Sequence, residues 1–283
     1  MIIKEIAILL TCHNRKDKTI ECLEVLYLNK IPEGYSFTVF LVNDGSTDGT
    51  KEAVKEKFPK VNIIKGNGNL FWNQGMRLAW KTASNTKKYD FYLWLNDDTI
   101  LEKNAVKSLF ECYTEVLLED EKPAIITGAC KCSTKSNTFS YGGRTEEGAV
   151  IPNGKLQKCT YINGNFVLIP DFIYKQLGNL SSDYTHGMGD FDYGLRAIKE
   201  GFNCYTTKGF IAVCAPNEGI QGWCNPKNSL KKRWNLLHSP LGLNIKEYNT
   251  FRRKFWGTKW LLFALKAYVK AISPTTYNKI SNK

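Results

Sequence analysis

The sequence predicts an α/β fold in which helices cover both faces of a mostly parallel central sheet, followed by a basic helical tail. Short apolar runs alternate with helical patterns through the first 130 residues, which is typical of strand–helix–strand units. The runs are almost continuously apolar, as in parallel strands that are buried on both faces. The uneven distribution of charge along the chain indicates the tail. A chain of 283 residues is long enough to bury a large core.

Five apolar runs are predicted to be strands, with helical patterns between them. The predicted strands are Ile6–Thr11, Phe37–Asn43, Val61–Ile64, Phe91–Asn96 and Ala124–Gly128. The predicted helices are Lys18–Leu28, Asp48–Phe58, Asn73–Ala83 and Asn104–Leu118. Further along, we expect a loop or hairpin over residues 131–150, a strand over Tyr161–Pro170 and a helix over Asp190–Glu200 that Gly201 ends.

The net charge of +12 is confined to the C-terminal segment. Residues 227–283 contain thirteen of the 39 Lys and Arg residues but only one, Glu247, of the 27 acidic residues, so residues 1–226 are balanced. We therefore predict one α/β domain over residues 1–226 and a basic, aromatic, helical extension over residues 227–283. A neutral body with a basic tail indicates an anionic partner for the tail alone.

The nine cysteines and the hydropathy pattern predict a cytoplasmic protein. The cysteines are scattered without a C-x-x-C pair, which favours reduced thiols over disulfides or zinc ligands. The N-terminal apolar run is too short for a secretory signal. No charge-free apolar run approaches the ~20 residues that a membrane span requires.

Polar residues follow three of the predicted strands at the point where each strand ends. They are Thr11–Arg15, Asn43–Ser46 and Asn96–Asp98. In open α/β sheets, ligands bind beyond the carboxyl ends of the parallel strands. Three strand ends therefore predict one ligand site at a common edge.

Each of these polar groups also has a structural interpretation. Asp44 could form a turn, or its carboxylate could accept the imide N–H of a uracil or thymine ring. Asp97 and Asp98 could also form a turn, but two carboxylates with no adjacent Lys or Arg repel each other, which a Mg²⁺ or Mn²⁺ ion would relieve. Asp190 could cap a helix or act as a general base.

Two common phosphate-binding motifs are not found. The chain has no G-x-x-x-x-G-K-[ST] sequence, which excludes a P-loop enzyme. The segment Gly66-Asn67-Gly68 lacks the third glycine of the dinucleotide fingerprint.

Five segments in order resemble the family 2 glycosyltransferases of the GT-A fold, over residues 4–215. They are TCHNR (11–15), VNDGSTDGT (42–50), NQGMRLAW (73–80), WLNDDT (94–99) and GDFDYGLRAIKEGF (189–202). The arrangement is similar to bacterial rhamnosyltransferase-like enzymes of surface polysaccharide synthesis. The resemblance implies a Rossmann-like GT-A domain with a nucleotide-binding half at about 1–130 and an acceptor half at about 131–226.

The resemblance also implies roles for individual residues. Asp190 would be the catalytic base, and Asp98 would bind the metal, Mn²⁺ or Mg²⁺, with His238 as a tentative second ligand. The implied donor-binding residues are Thr11, His13, Arg15, Asp44, Asn73, Gly75, Asn96 and Asp97. The implied acceptor-side residues are Asn163, Gly164, His186 and Asp192. Two positions depart from the family pattern, because Asn96 and Gly189 stand where relatives often carry an acid.

The implied activity is inverting transfer of one hexosyl or deoxyhexosyl group from a UDP- or dTDP-linked sugar. The acceptor would be a hydroxyl of a glycan or of a polyprenyl-diphosphate-linked glycan in bacterial surface polysaccharide synthesis. Processive synthesis is disfavoured, because Leu230 replaces the glutamine of the Q-x-x-R-W element and no spans are predicted. The alternatives are a non-catalytic nucleotide-sugar-binding module and a sugar-phosphate nucleotidyltransferase, although TCHNRKDK lacks the glycines that such an enzyme needs.

The tail has two interpretations. On a wheel of 100° per residue, Arg252, Lys259, Lys266 and Lys270 fall within about 20° of one line, and apolar residues occupy most of the remainder. Residues 251–283 could pack on the body with a solvated stripe, or lie on the anionic inner face of the cytoplasmic membrane. No nucleic-acid-binding motif is present, so we expect no nucleic-acid partner.

Overall fold

The computed structural model describes residues 3–216 and 219–281. The chain divides into two compact units, which are described separately. The first contains the described residues of 1–181 and 189–216, and the second those of 182–188 and 217–283. Segment 182–188, which the sequence analysis assigned to the first domain, therefore lies in the second unit.

The first unit is built on a mixed, mostly parallel sheet, which confirms the predicted fold class. Its strands are β1 (Lys4–Cys12), β2 (Tyr35–Asn43), β3 (Asn62–Lys65), β4 (Phe91–Leu95), β5 (Ile100–Leu101), β6 (Ile125–Ser133), β7 (Ser136–Tyr141), β10 (Gln157–Lys158), β12 (Phe166–Pro170) and β13 (Cys204–Val213). The order is β10-β13-β6-β12-β4-β1-β2-β3, with β5 on β13 and β7 on β6. Strands β4, β1, β2 and β3 are parallel, and β12 runs antiparallel to β4 and β6.

Helices pack on both faces of this sheet because the side chains of a strand alternate between its two faces. In β1, Ile6 and Ile8 belong to one buried cluster, and Ala7 and Leu9 belong to the other. Helices α1 (Lys16–Leu28), α2 (Thr50–Lys57) and α4 (Ala105–Asp120) contribute to the first cluster. Helices α3 (Phe71–Thr86), α5 (Asp171–Leu177) and α6 (Gly189–Lys199) contribute to the second.

One predicted segment differs from the structure, and another contains more strands than expected. The strand predicted over Tyr161–Pro170 is two strands: β11 (Tyr161–Ile162) pairs with β8 (Gly143–Thr145), and β12 enters the main sheet. The loop or hairpin predicted over residues 131–150 contains two antiparallel pairs, β6 with β7 and β8 with β9 (Gly148–Ala149), and β11-β8-β9 form a separate small sheet. The separate sheet was not predicted, because Ser, Thr and Gly dominate this stretch and leave no apolar alternation.

The second unit is helical, as predicted, but the single helical wheel drawn through its basic residues is wrong. The helices are α7 (Leu230–Leu237), α8 (Ile245–Trp256), α9 (Trp260–Ile272) and α10 (Pro274–Ser281). Gly257, at φ +52°, ends α8, and a short 3₁₀ turn precedes α9. Arg252 is buried, with its guanidinium 4.4 Å from the Tyr248 ring and 5.2 Å from the Phe263 ring. It is therefore not part of a solvated stripe.

No helix among the described residues is both long enough and apolar enough to cross a bilayer.

Candidate active site

The carboxyl ends of β1, β2 and β4 meet at one edge of the sheet. The parallel register pairs Cys12 with Asn43 and Leu9 with Trp94. The residues that follow, His13–Arg15, Asp44–Ser46 and Asn96–Asp98, therefore come together as predicted. Strand β13 runs in the same direction as β4, through β6 and β12, and its end brings Cys214 to the same edge.

Asp44 organises the loop that leads into α3. Its carboxylate is almost fully buried and accepts the backbone N–H groups of Gly68 (2.7 Å), Leu70 (2.8 Å) and Phe71 (3.0 Å). A Cβ at Gly66 would lie 2.5 Å from Oδ1 of Asp44, so only glycine fits there. These contacts explain the Gly66-Asn67-Gly68 segment. From the sequence, we concluded only that this segment is not a dinucleotide-binding motif. The base contact implied for Asp44 stays a prediction.

The loop after β1 is held against the loop after β2. His13 Nδ1 lies 2.5 Å from the Asp44 carbonyl oxygen. Asn14 is in the left-handed region at φ +50°, and its Oδ1 accepts the Thr47 N–H at 2.8 Å. The Asn14 N–H donates to Ser46 Oγ at 3.0 Å. The exposed His13 ring is therefore fixed at the rim of the edge.

The two carboxylates after β4 have a cationic neighbour that the sequence analysis did not anticipate. The Arg15 guanidinium Nη1 donates to Asp98 Oδ2 at 2.7 Å and to Asp97 Oδ1 at 3.2 Å. No Lys or Arg is adjacent to these acids in the sequence, but Arg15 reaches them from the loop between β1 and α1. Their mutual repulsion is therefore relieved by the protein itself.

Asp97 and Asp98 differ in exposure and therefore in chemistry. The Asp97 side chain is 7% exposed, and burial raises its pKa to about 6 although the Arg15 guanidinium lowers it. Asp98 is 24% exposed, so its carboxylate is the more accessible of the two. The Cys214 thiol lies 3.8 Å from Asp98 Oδ1 and accepts from Asn165 Nδ2 at 3.3 Å. Sequence reasoning missed Cys214, because no motif surrounds it.

Asp190 lies in the first turn of α6, at the other side of the site. Its Oδ2 accepts the Gly164 N–H at 3.0 Å, and its Oδ1 accepts the Phe191 N–H at 2.9 Å. Burial raises its pKa to about 6, and these two backbone N–H groups act in the opposite direction. A carboxylate of raised pKa at an open helix start can accept a proton from a hydroxyl.

Glycines explain two of the sequence features. A Cβ at Gly189 would lie 1.8 Å from Oδ1 of the buried Asn73, which gives a steric reason for the glycine where relatives carry an acid. A Cβ at Gly75 would lie 2.3 Å from Oγ1 of Thr11, so Gly75 lets α3 approach β1. Asn73 also donates from Nδ2 to the Ser181 carbonyl at 2.9 Å. The donor-binding roles implied for Thr11, Asn73 and Gly75 stay predictions.

Asn96, the other departure from the family pattern, contacts an indole. The Trp72 Nε1–H donates to Asn96 Oδ1 at 2.7 Å. The Trp72 ring also fills the space next to Gly164, where a Cβ would lie 2.3 Å from its Cζ2. Asn96 and Gly164 thus contact the same indole, and Gly164 in turn donates to Asp190.

The residues implied for the acceptor side belong to both units. Gly164 is beside Asp190, and Asn163 Oδ1 accepts the Gly142 N–H at 3.3 Å. Asp192 has no exposed surface, and its Oδ2 accepts from Arg196 Nε at 2.6 Å, which gives it a structural contact in the interior. His186 lies in the second unit and is exposed. Acceptor contacts by these residues stay predictions.

His238, the tentative metal ligand, follows α7 in the second unit. Its Nδ1 lies 2.8 Å from the Trp234 carbonyl oxygen, and its ring packs 5.0 Å from that of Trp234. Among the described residues, no three His, Cys, Asp or Glu side chains are grouped so that they could hold a metal by themselves. A cation at this edge would therefore need oxygens from a ligand as well.

Comparisons with known proteins identify a family model and solved structures that are similar to this chain. The family model described as Glycosyl transferase family 2 matches residues 7–176. The solved structure of mannosyltransferase PcManGT from Pyrobaculum calidifontis in complex with GDP-Man and Mn²⁺ is similar, with a TM-score of 0.53 at 13% identity over 100% of this chain and 79% of that one. Staphylococcus aureus TarS 1-349 in complex with UDP-GlcNAc has a TM-score of 0.55 at 14% identity over 95% and 82% of the two chains. No curated protein matches this chain.

Proposed function

Because the chain belongs to glycosyl transferase family 2, we propose that it transfers one sugar from a UDP- or dTDP-linked donor to a hydroxyl group with inversion. The acceptor is a glycan or a polyprenyl-diphosphate-linked glycan of bacterial surface polysaccharide synthesis. The observation that carries the proposal is the chain of contacts from Asn96 through Trp72 and Gly164 to Asp190, which links the Asn96–Asp98 segment to the candidate base. Displacement of a nucleoside diphosphate by a hydroxyl requires a base that takes the hydroxyl proton. It also requires a group that stabilises the negative charge of the leaving diphosphate.

Asp190 acts as the general base in this proposal. Its carboxylate takes the proton from the acceptor hydroxyl while that oxygen attacks the anomeric carbon from the face opposite the leaving group. A pKa of about 6, raised by burial, makes Asp190 a stronger base than an exposed aspartate and leaves it ionised near neutral pH. The N–H groups of Gly164 and Phe191 orient the carboxylate.

The same edge fits a divalent cation that is shared with the donor. Asp98 is accessible and offers hard carboxylate oxygens. Its Oδ2 accepts from Arg15 Nη1 at 2.7 Å, so a cation would replace this guanidinium or use the other carboxylate oxygen. Asp98 would hold Mn²⁺ or Mg²⁺, with Asp97 behind it and the donor diphosphate supplying further oxygens. The cation would stabilise the charge that develops on the departing nucleoside diphosphate.

A donor screen tests this function. We expect UDP- or dTDP-sugars with Mn²⁺ to raise the melting temperature, and the stabilising donor to release its nucleoside diphosphate in the presence of the protein. Stabilisation without release would favour the non-catalytic binding module. Release of pyrophosphate from a nucleoside triphosphate and a sugar phosphate would favour the nucleotidyltransferase.

The tail supports peripheral binding to the cytoplasmic face of the membrane. Leu261, Leu262, Leu265, Val269 and Ile272 are exposed along α9. At 100° per residue they fall within about 100° of one another, so they form one apolar face. The excess of basic residues over 227–283 complements an anionic lipid surface. Membrane contact would bring the site to a lipid-linked acceptor.

Vesicle flotation checks the α9 face. We expect the protein to float with phosphatidylglycerol vesicles and less with phosphatidylcholine. Leu261→Gln/Leu265→Gln should weaken binding about 30-fold, because about 2 kcal/mol of apolar transfer is lost. The matched control is Leu28→Gln/Leu118→Gln, which changes two leucines that are exposed in the first unit. Absence of wild-type flotation, or equal loss in both variants, would contradict the membrane proposal.

A further inference from the structure

Trp72 lies between the donor side and the base of the site. Its Nε1–H is anchored on Asn96 Oδ1 at 2.7 Å. Its ring meets Trp94 edge to face, with the centroids 6.0 Å apart and the planes at 85°. Trp94 is fully buried in β4. Trp94 of β4 therefore fixes the indole ring, and Asn96, which precedes Asp97, fixes its N–H group.

The six-membered ring of the same indole touches Gly164. A Cβ at Gly164 would lie 2.3 Å from Trp72 Cζ2 and 2.6 Å from Cη2, so the ring and the backbone are in direct contact. The N–H of Gly164 donates to Asp190 Oδ2 at 3.0 Å. Any displacement of the indole toward Gly164 must therefore move the amide that holds the carboxylate.

We propose that Trp72 is a positioning residue, which holds the Gly164 amide on Asp190 and so fixes the base relative to the donor-binding segment. The inference rests on the proposed function for the role of Asp190. It also gives Asn96 a role, because its side-chain oxygen accepts the indole N–H. Phe71, the residue before Trp72, donates its N–H to Asp44, so the indole is continuous with the loop on Asp44.

The arrangement has a consequence that can be measured directly. A backbone N–H that donates to a carboxylate stabilises the ionised form and lowers its pKa. Burial raises the pKa of Asp190, and the Gly164 amide partly offsets that effect. Loss of this amide should therefore raise the pKa of Asp190 further, so that the base stays protonated to a higher pH.

Titration of Asp190 by ¹³C NMR of aspartate labelled at the side-chain carboxyl tests the inference without any ligand. The Asp190 signal is assigned by its absence in Asp190→Asn. We expect Gly164→Ala to raise the pKa by about half a unit or more, since one hydrogen bond to a charged group is weakened. The double variant Gly164→Ala/Trp72→Phe should return toward the wild-type value, because the smaller ring leaves room for the methyl group.

Trp80→Phe is the matched control. Trp80 lies on the same helix and also packs against Trp94, but the atoms nearest a Cβ at Gly164 all belong to Trp72, so this change should leave the titration unmoved. Additive shifts in the double variant, no shift in Gly164→Ala, or an equal shift in Trp80→Phe would overturn the inference. If Gly164→Ala does not fold, the single variant Trp72→Phe is titrated instead. An unchanged pKa of Asp190 in Trp72→Phe would also overturn the inference.

Turnover separates this inference from the proposed function. Hydrolysis of the donor chosen by the thermal screen should lose activity at low pH, and Gly164→Ala should move that loss to higher pH while donor affinity by calorimetry stays within about twofold. Wild-type turnover in Asp190→Asn would refute the proposed base but not the positioning contact. Suppose that turnover depends on Asp190, and that Gly164→Ala shifts the NMR titration of Asp190 but not the pH dependence of turnover. This result would show that Trp72 does not position Asp190 for catalysis.

Discussion

Replacing Asp190 with Asn is expected to lower kcat about 10²–10⁴-fold, the contribution that a general base typically makes. Asparagine keeps the shape of the side chain, but its single oxygen can accept only one of the Gly164 and Phe191 N–H groups, which donate to different oxygens of Asp190. It cannot take a proton from the acceptor hydroxyl. Donor affinity, measured by calorimetry, should stay within about twofold of wild type, because the proposed mechanism has Asp190 act on the acceptor rather than the donor.

Asp171→Asn is the matched control for this experiment. Asp171 lies in the first turn of α5, as Asp190 lies in the first turn of α6, and its carboxylate pairs with Lys175 at 2.5 Å on the surface. An exposed pair of this kind contributes little, so turnover should be unchanged. If Asp190→Asn lost donor binding and turnover together, Asp190 would be a structural residue and the proposed base would be wrong.

Replacing Asp98 with Asn is expected to lower turnover about 100-fold or more, because stabilisation of the leaving diphosphate amounts to several kcal/mol. The wild-type protein should lose turnover in EDTA and regain it with Mn²⁺ or Mg²⁺. Titration of the nucleoside diphosphate in the presence and absence of Mn²⁺ should show metal-dependent affinity in the wild type and little dependence in Asp98→Asn.

Glu102→Gln is the matched control for Asp98. Glu102 lies shortly after Asp98, and its carboxylate pairs with Lys131 at 2.9 Å. Removing that surface charge should leave both turnover and its metal dependence unchanged. Full turnover of the wild-type protein in EDTA would show that Asp98 and Arg15 form only an ion pair, and that the metal proposal is wrong.

The strand ends were predictable because their signal is local. A buried parallel strand requires a continuous apolar run, as in Phe91–Leu95, and a polar residue directly after it marks the edge of the sheet. This information was enough to bring Asp44 and Asn96–Asp98 to one edge. Asp190 was predictable as a helix start, but its closeness to Gly164 was not.

Pairings across the sheet were not predictable. Arg15 and Asp98 lie 83 positions apart in the chain, and no pattern in either segment predicts that they form an ion pair. The break at Gly257 was missed for a related reason. A helical wheel assumes a continuous helix, whereas the positive φ of Gly257 separates α8 from α9 and Arg252 turns inward onto aromatic rings.

The amino-acid sequence by itself determined the order of strands and helices, the polar edge and the basic tail, because these depend on hydropathy and charge along short segments. Only the tertiary structure decided what the polar groups contact. Asp44 binds a loop of backbone amides, Arg15 neutralises Asp98, and Trp72 reaches from Asn96 to Gly164. Such contacts depend on distances between segments far apart in the chain, which are set when the sheet and its two helical layers pack together.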